Sequence, residues 1–368
     1  MNTALTQLIK TKIATTGPIP FAEFMRLALY APGLGYYSAG LQKFGKQGDF
    51  ITAPEISPLF SQCIAKQCQQ VLTLIGDGDI VEFGAGSGSM AAEILQSLQK
   101  NHTLPKHYYI IELSAELKQR QHKQLKTTLP DLINRVVWLD QLPQQDFRGI
   151  ILANEVLDAM PVHKFKYERG LKEYYVDWQQ GNFVWQLQPA DAQLTTAVHH
   201  LNIQFNHAYN SEINLMLKPW ISSLANVLSQ GIILLIDYGY PRHEYYHPQR
   251  SMGTLRCHHQ HQASDDPLVN VGEQDITAHV DFTAIAEAAV ASELQISGYT
   301  NQANFLLSCG LTDLALQQPC DKQFNTAQQM KQLTLPSEMG EIFKVIGLNK
   351  RFDDPLLGFR LNNKQHTL

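Results

Sequence analysis

Glu82, Gly84, Gly86 and Gly88 alternate along the run Val81-Glu82-Phe83-Gly84-Ala85-Gly86-Ser87-Gly88. Glycines at this spacing let the backbone turn tightly and approach a ligand where any Cβ would collide. The dinucleotide-binding fingerprint needs its third glycine one position later, where this chain has Ser89. The acid two residues before the first glycine, Glu82, suits a ligand carrying a positive amine better than one carrying a pyrophosphate. A second acid, Glu112, closes the apolar run Tyr108-Tyr109-Ile110-Ile111. A carboxylate at that distance past a glycine loop is the group a βαβ unit uses to bind ribose hydroxyls. Ser114, ahead of Ala115-Glu116-Leu117, is the better helix cap, which leaves Glu112 for a ligand. Both features point to a nucleoside cofactor.

The elements that must position these groups follow from the pattern around them. The apolar run at 80–83 leads into the glycines and then into the helical run Ser89-Met90-Ala91-Ala92-Glu93-Ile94-Leu95. From Ile80 onward strand and helix signals alternate, which predicts a parallel sheet with helices on both faces. Strands are expected at 80–83, 108–111, 135–139, 149–153, 231–237, 294–297 and 343–348, with a helix over 282–291 capped by Asp281. Three short aromatic strands, at 165–167, 174–178 and 183–187, are separated by Arg169-Gly170 and Gln180-Gly181-Asn182 and read as an inserted β-meander. Its aromatics suit a homodimer or substrate surface, although ordinary packing of half-buried strands accounts for them as well. A helix around 213–228 then returns the chain to the sheet. Ahead of the sheet, Phe21, Phe24, Met25 and Ala28 share one helical face, so the N-terminal segment packs on the core, and Ser57-Pro58 reads as a helix start.

Bulk properties narrow the function classes. The chain has 368 residues, of which 44% are hydrophobic and 17% charged, as in a globular protein with a good core. A net charge of −5 without a basic cluster gives no nucleic-acid surface. No run approaches the length of a membrane-spanning helix. The five scattered cysteines suit a reducing compartment, and the N-terminus lacks a signal core or Arg-rich leader, so a cytoplasmic protein is expected. The tract Cys257-His258-His259-Gln260-His261 has no spaced carboxylate or thiolate partner. It reads as a solvated loop, with no metal site.

Several segments together carry a family likeness. They are Gly48-Asp49-Phe50-Ile51-Thr52-Ala53-Pro54-Glu55-Ile56-Ser57, then Val81–Gly88, then Asn154-Glu155-Val156-Leu157-Asp158-Ala159-Met160-Pro161. Further on come Ile236-Asp237-Tyr238-Gly239, His279-Val280-Asp281-Phe282 and Met339-Gly340-Glu341. The glycine run resembles the first motif of class I S-adenosylmethionine (SAM) methyltransferases. From about residue 20 to about 360 the whole set resembles the MidA family of such enzymes, which includes a mitochondrial protein arginine methyltransferase. The resemblance implies an α/β fold, the class I methyltransferase (Rossmann-like) sheet of seven strands whose last pair is antiparallel. It implies a helical extension or lid over 1–75 and a methyltransferase domain over 76–368, with the meander inserted at about 161–190.

SAM is then the cofactor, held by Glu82, Gly84, Gly86, Gly88 and Glu112. Thr52, Pro54 and Glu55 border it by resemblance, and Asp140 stands where adenine is read unless it serves only as a turn residue. After the fourth strand, Asn154, Glu155 and Asp158 become the candidate catalytic residues. Nucleobase amino methyltransferases carry Pro-Pro-aromatic at this point, whereas two carboxylates a short apolar step apart suit a guanidinium, a planar fork of donors. An arginine of a protein substrate is therefore the expected acceptor. An equal alternative has Asp158 capping a helix, with only Asn154 or Glu155 on the ligand. The rival functions are methyl transfer to a small-molecule oxygen or nitrogen, and a SAM-binding assembly factor without turnover.

Overall fold

Ile80 and Val81 fall on opposite faces of one strand, and each face meets its own helical layer. That alternation builds the centre of the molecule. The structure, a computed structural model, describes residues 3–39, 52–144, 146–204, 207–260 and 262–368. Positions 48–51 of the first motif and His261 lie outside the described residues.

The chain opens with α1 (Thr3–Thr16), the two-residue strand β1 (Ile19–Pro20), α2 (Phe21–Tyr30), α3 (Ala53–Ile56) and α4 (Pro58–Ile75). Phe21, Phe24, Met25 and Ala28 are all buried on one face of α2. The Ser57 hydroxyl caps α4 by accepting from the Leu59 amide, 3.3 Å away. α4 buries Cys63, Ile64, Cys68 and Val71 in the same core as Ile80 and Ile150, so it belongs to the helical layer of the sheet and not to a separate lid. Burial pushes the Cys63 thiol up to about 12, in keeping with a packing role.

β2 (Asp79–Phe83), α5 (Ser89–Lys100), β3 (Tyr108–Ile111), α6 (Ala115–Thr128), β4 (Val136–Leu139) and β5 (Phe147–Asn154) follow. The insertion comprises β6 (His163–Tyr167), β7 (Leu171–Gln179), β8 (Asn182–Pro189), α7 (Ala192–His200) and β9 (Tyr209–Ile213). α8 (Leu217–Val227) leads into β10 (Leu228–Tyr240) and α9 (Arg242–Tyr245). After these stand β11 (Arg256–His259), β12 (Gln262–Ser264), β13 (Asp275–Thr277), β14 (Val280–Asp281), α10 (Phe282–Ala291), β15 (Gln295–Asn301) and β16 (Phe343–Lys350).

The main sheet has the order β15-β16-β10-β5-β2-β3-β4, and β14 adds to the end of β10. The expected seven strands thus gain an eighth, too short to show in the sequence pattern. The five strands from β4 to β10 are parallel, and β16 runs antiparallel to both β10 and β15. Chain order reverses between β2 and β5. In open α/β sheets the loops diverge at such a point and leave a crevice at the carboxyl ends of the strands.

The insertion extends beyond the meander. β8 pairs with one edge of β7, while β6 and β1 pair along the other, and β9 completes the sheet beside β6. Ile213, read as a helix start, instead ends β9; the helix begins at Leu217. The aromatics of the insertion pack against the N-terminal helices: Phe183 meets Phe24 at 5.3 Å and Trp185 meets Phe21 at 5.1 Å between ring centroids. His258 and His259 lie in β11, paired with β12 and β13, so the histidine tract is strand where a loop was expected. The His259 ring lies 2.7 Å from the Glu273 carbonyl, a partner no local pattern announces.

At the amino ends of the central strands the backbones crowd. Gly149 and Gly231 have φ of +139° and +132°, and a Cβ on either would stand 1.9 Å from a neighbouring carbonyl oxygen, of Asp79 and Gly149 respectively. Gly149→Ala is expected to destabilise the fold by on the order of 3 kcal/mol, because backbone rather than a mobile side chain must yield. Urea denaturation of the variant against wild type measures it.

Candidate functional site

The loop after β2 and the loop after β5 meet at the reversal of strand order: a Cβ on Gly84 would lie 3.3 Å from a methyl of Val156. Gly84, Gly86 and Gly88 all have positive φ, of 60°, 54° and 89°, which a side chain would strain. A cavity of about 740 Å³ opens here. Its floor is the glycine loop with Glu82 and Glu112, one wall is Asn154, Glu155 and Asp158, and the outer wall comes from Thr52, Pro54 and Glu55 with residues of α2. Gly88 is off the cavity wall, where it serves as the N-cap of α5. Asp140 is also outside, exposed and paired with Lys118.

Each acid has its own surroundings. Glu82 is 1% exposed and accepts a hydrogen bond of 2.7 Å from the Tyr108 hydroxyl. Burial is the main cause that lifts its pKa to about 7, against that hydrogen bond. Glu112 accepts from the Ser114 amide at 2.9 Å and from the Gln121 side chain at 3.1 Å, and burial raises it above the ordinary carboxylate value. Ser114 caps α6, as its sequence position suggested. Gln121 was not singled out by sequence. Its amide also donates to the Gly86 carbonyl at 3.0 Å while its oxygen accepts from the Trp138 indole at 2.9 Å, so one side chain ties the glycine loop to Glu112.

Glu55 lines the cavity and also holds the glycine loop. One of its carboxylate oxygens accepts from the hydroxyls of Ser87 and Ser89, the latter at 3.0 Å, so it latches α3 to the glycine loop. Ser89, the residue that breaks the dinucleotide fingerprint, is thereby part of the latch. The Ala53 amide of α3 lies near Glu155 and favours its ionised form.

Glu155 sits at φ 53°, a left-handed conformation uncommon for a non-glycine residue and costing on the order of 1 kcal/mol. Its amide still donates to the Ile236 carbonyl at 2.9 Å, and its carboxylate accepts from the Asn154 side chain at 3.1 Å. Residues 155–160 form a turn with no helix after it, so Asp158 caps nothing. It is 4% exposed and accepts from the Tyr238 hydroxyl, while its other oxygen, like the Asn154 carbonyl oxygen, is buried with no partner. A third acid stands beside them: Asp237 is 1% exposed and accepts from four backbone amides, those of Val156, Leu157, Asp158 and Tyr238. Its residue type was visible within a motif, but its role depends on a contact some eighty positions away. Among the described residues no lysine or arginine forms an ion pair with Glu155, Asp158 or Asp237.

Burial first, and the neighbouring Asp158 second, push Glu155 up to about 8. Burial also lifts Asp158 to about 6. Buried acids at this density favour their protonated forms, and a neighbouring cation would favour the anions. The donor set fits SAM: glycines at the closest approach, acids for an amine and a diol, and a mostly apolar wall.

A parallel sheet reversed at β2 and β5, with a glycine loop and acids on its carboxyl edge, defines a nucleoside-binding α/β enzyme of the methyltransferase type. The model of the S-adenosyl-L-methionine-dependent methyltransferase family Methyltransf_28 matches residues 63–300, and the chain belongs to this family of SAM-dependent methyltransferases. A COG1565 superfamily member from Burkholderia thailandensis, solved bound to S-adenosyl-homocysteine, is 41% identical, with a TM-score of 0.95 over 100% of this chain and 97% of that one. The Drosophila melanogaster protein named protein arginine methyltransferase NDUFAF7 homolog, mitochondrial, is 28% identical over 94% of this chain and 84% of its own length. Its human counterpart, NDUFAF7, is also 28% identical, over 92% of this chain and 81% of its own length. SAM is the cofactor of this enzyme. The expectation of a cytoplasmic protein is withdrawn, because the curated relatives are named mitochondrial; an N-terminus without an Arg-rich leader does not fix the compartment. Among the described residues no helix is long and apolar enough to cross a membrane.

Raised acid pKa values make stability depend on pH with a definite sign. An acid whose pKa is raised on folding adds stability that is fully present below its unfolded value, near 4.5 for glutamate, and lost as pH climbs through the folded value. His279, held neutral by burial at about 4, slopes the other way, but only below pH 6.5. Between pH 6.5 and 8 the ligand-free protein is therefore expected to lose thermal stability. Glu155→Gln is expected to flatten that slope and to melt above wild type at pH 8, as differential scanning calorimetry across the window can measure.

Proposed function

We propose that this enzyme methylates an arginine side chain of a protein substrate, with Glu155 and Asp158 holding the guanidinium and Asn154 orienting Glu155. The observation that carries this reading is the uncompensated acid group at the crevice: Glu155 and Asp158 line the cavity with raised pKa values, and buried oxygens of Asp158 and Asn154 lack partners. A guanidinium supplies both the charge and the spread of donors such a set lacks. The names of the fly and human relatives agree with an arginine acceptor.

The bound cofactor supplies an electrophilic methyl on a sulfonium. The chain's own work is to hold, orient and desolvate. In this reading Glu82 receives the cofactor's ammonium group and Glu112 its ribose hydroxyls, while Gly84 and Gly86 allow close backbone approach and Gly88 starts the helix behind them. Thr52 and Pro54 wall the cofactor, and Glu55 keeps that wall shut through Ser87 and Ser89. Within the N-terminal extension over 1–75, α2 and α3 act as the lid. Glu155, with a pKa near neutrality, takes the proton that the attacking nitrogen loses.

Glu155→Gln tests this assignment. The variant is expected to bind S-adenosyl-homocysteine within about twofold of wild type by calorimetry. Its methyl transfer to arginine-containing peptides should fall by about 100-fold or more, the usual scale for loss of a proton acceptor. Loss of cofactor binding in the variant would assign Glu155 to the cofactor instead.

A further inference from the structure

Asn154, the last residue of β5, holds Glu155, but the turn that carries Asp158 is not held in place by its own element. β5 ends at Asn154, and the chain passes through the left-handed Glu155 into an irregular turn. The Ala278 amide and the Tyr30 hydroxyl bind the Asp158 and Ala159 carbonyls, and the largest set of bonds to the turn comes from the end of β10. One oxygen of Asp237 accepts the amides of Val156, Leu157 and Asp158, at 3.2, 2.9 and 3.2 Å, and the other accepts the Tyr238 amide at 2.9 Å. Three successive N–H groups converging on one oxygen form a nest that demands an acceptor at its centre. The next residue, Tyr238, donates its hydroxyl to Oδ2 of Asp158, while Oδ1 is buried without a partner. The Tyr238 ring is braced edge-on by Phe343 and His279, at 5.2 and 5.6 Å between centroids.

We propose that Asp237 and Tyr238 are a positioning pair for the acceptor acids: Asp237 sets the backbone of the turn, and Tyr238 occupies one oxygen of Asp158 so that Oδ1 is the one left for the acceptor. The assignment rests on the reading of Glu155 and Asp158 as the acceptor site. It also refines that reading. With one oxygen of Asp158 taken by Tyr238 and one of Glu155 by Asn154, each acid accepts with its remaining oxygen, and the guanidinium is bridged between two carboxylates rather than forked onto one.

Titratable groups surround Asp158 from several elements. Glu155 lies on its own turn, Asp237 and Tyr238 on β10, Tyr30 and Tyr37 on the N-terminal segment, Asp275 on β13 and His279 between β13 and β14. Burial opposes ionisation of Asp158, and the Tyr238 hydroxyl is the side-chain hydrogen bond that favours it. Removing that hydroxyl therefore shifts Asp158 toward its neutral form without touching the backbone.

The test is Tyr238→Phe, read first in the absence of any acceptor. Carboxyl carbon-13 NMR of the full chain, with Asp158→Asn to assign the resonance, is expected to show the Asp158 titration moving up by about one pH unit, the equivalent of one lost hydrogen bond. In turnover, the acid limb of kcat/KM should move the same way and the acceptor KM should rise about tenfold, with S-adenosyl-homocysteine affinity within about twofold of wild type. Asp237→Ala should lower kcat/KM per folded enzyme by about 100-fold, and Asp237→Asn, which keeps an oxygen for the nest, should restore most of it. An unmoved Asp158 titration in Tyr238→Phe overturns the pair whatever the turnover shows. A shifted titration in an enzyme that methylates no arginine peptide supports the pair and refutes the arginine acceptor.

Discussion

Three carboxylates, Glu155, Asp158 and Asp237, stand together at the point where the order of the parallel strands reverses, and much of the site depends on that crowding. Like charges in a low-dielectric crevice cannot all ionise without a counter-charge. Asp237 is satisfied by backbone amides, and Tyr238 satisfies half of Asp158. The remaining demand is directed at the cavity. The arrangement is costly without a counter-charge and favourable for a bound cation, which selects for cationic groups. It also accounts for the geometry: a left-handed Glu155, a nest over Asp237 and a helix of four residues latched to the glycine loop.

The half of the cavity around the glycine loop is built differently. Glycine supplies closeness, and single polar side chains supply rigidity. Gln121 connects the Gly86 carbonyl, Glu112 and Trp138, so it ties together the loop after β2, the acid after β3 and the strand β4. Glu55 does the same from outside through two serines. The N-terminal segment is therefore bonded into the site as well as covering it, and α4 lies in the core of the sheet itself.

Much of this was legible in the sequence, for physical reasons. The buried parallel strands announce themselves as apolar runs, and β2, β3, β5 and β10 stand where those runs are. Caps with local side-chain partners were equally readable: Ser57, Ser114 and Asp281 each accept from an amide two or three residues on. What could not be read was non-local. Asp237 looks like any strand-end aspartate until the turn at 156–158 folds over it, and Gln121 looks like surface on a polar helix. The aromatic insertion gave strands but not their partner, which proved to be α2. β14 and β9 are short or polar and were lost in their surroundings.

The central claim is that the acid pair after β5 holds the acceptor's cation. Its most direct test is a crystal structure with S-adenosyl-homocysteine and an arginine-containing peptide bound together. The account predicts a guanidinium bridged between Glu155 and Oδ1 of Asp158, with nitrogen–oxygen distances of about 2.7–2.9 Å and a nitrogen facing the cofactor's sulfur. A guanidinium bound elsewhere, with Glu155 and Asp158 contacting the cofactor's ammonium group, would contradict it.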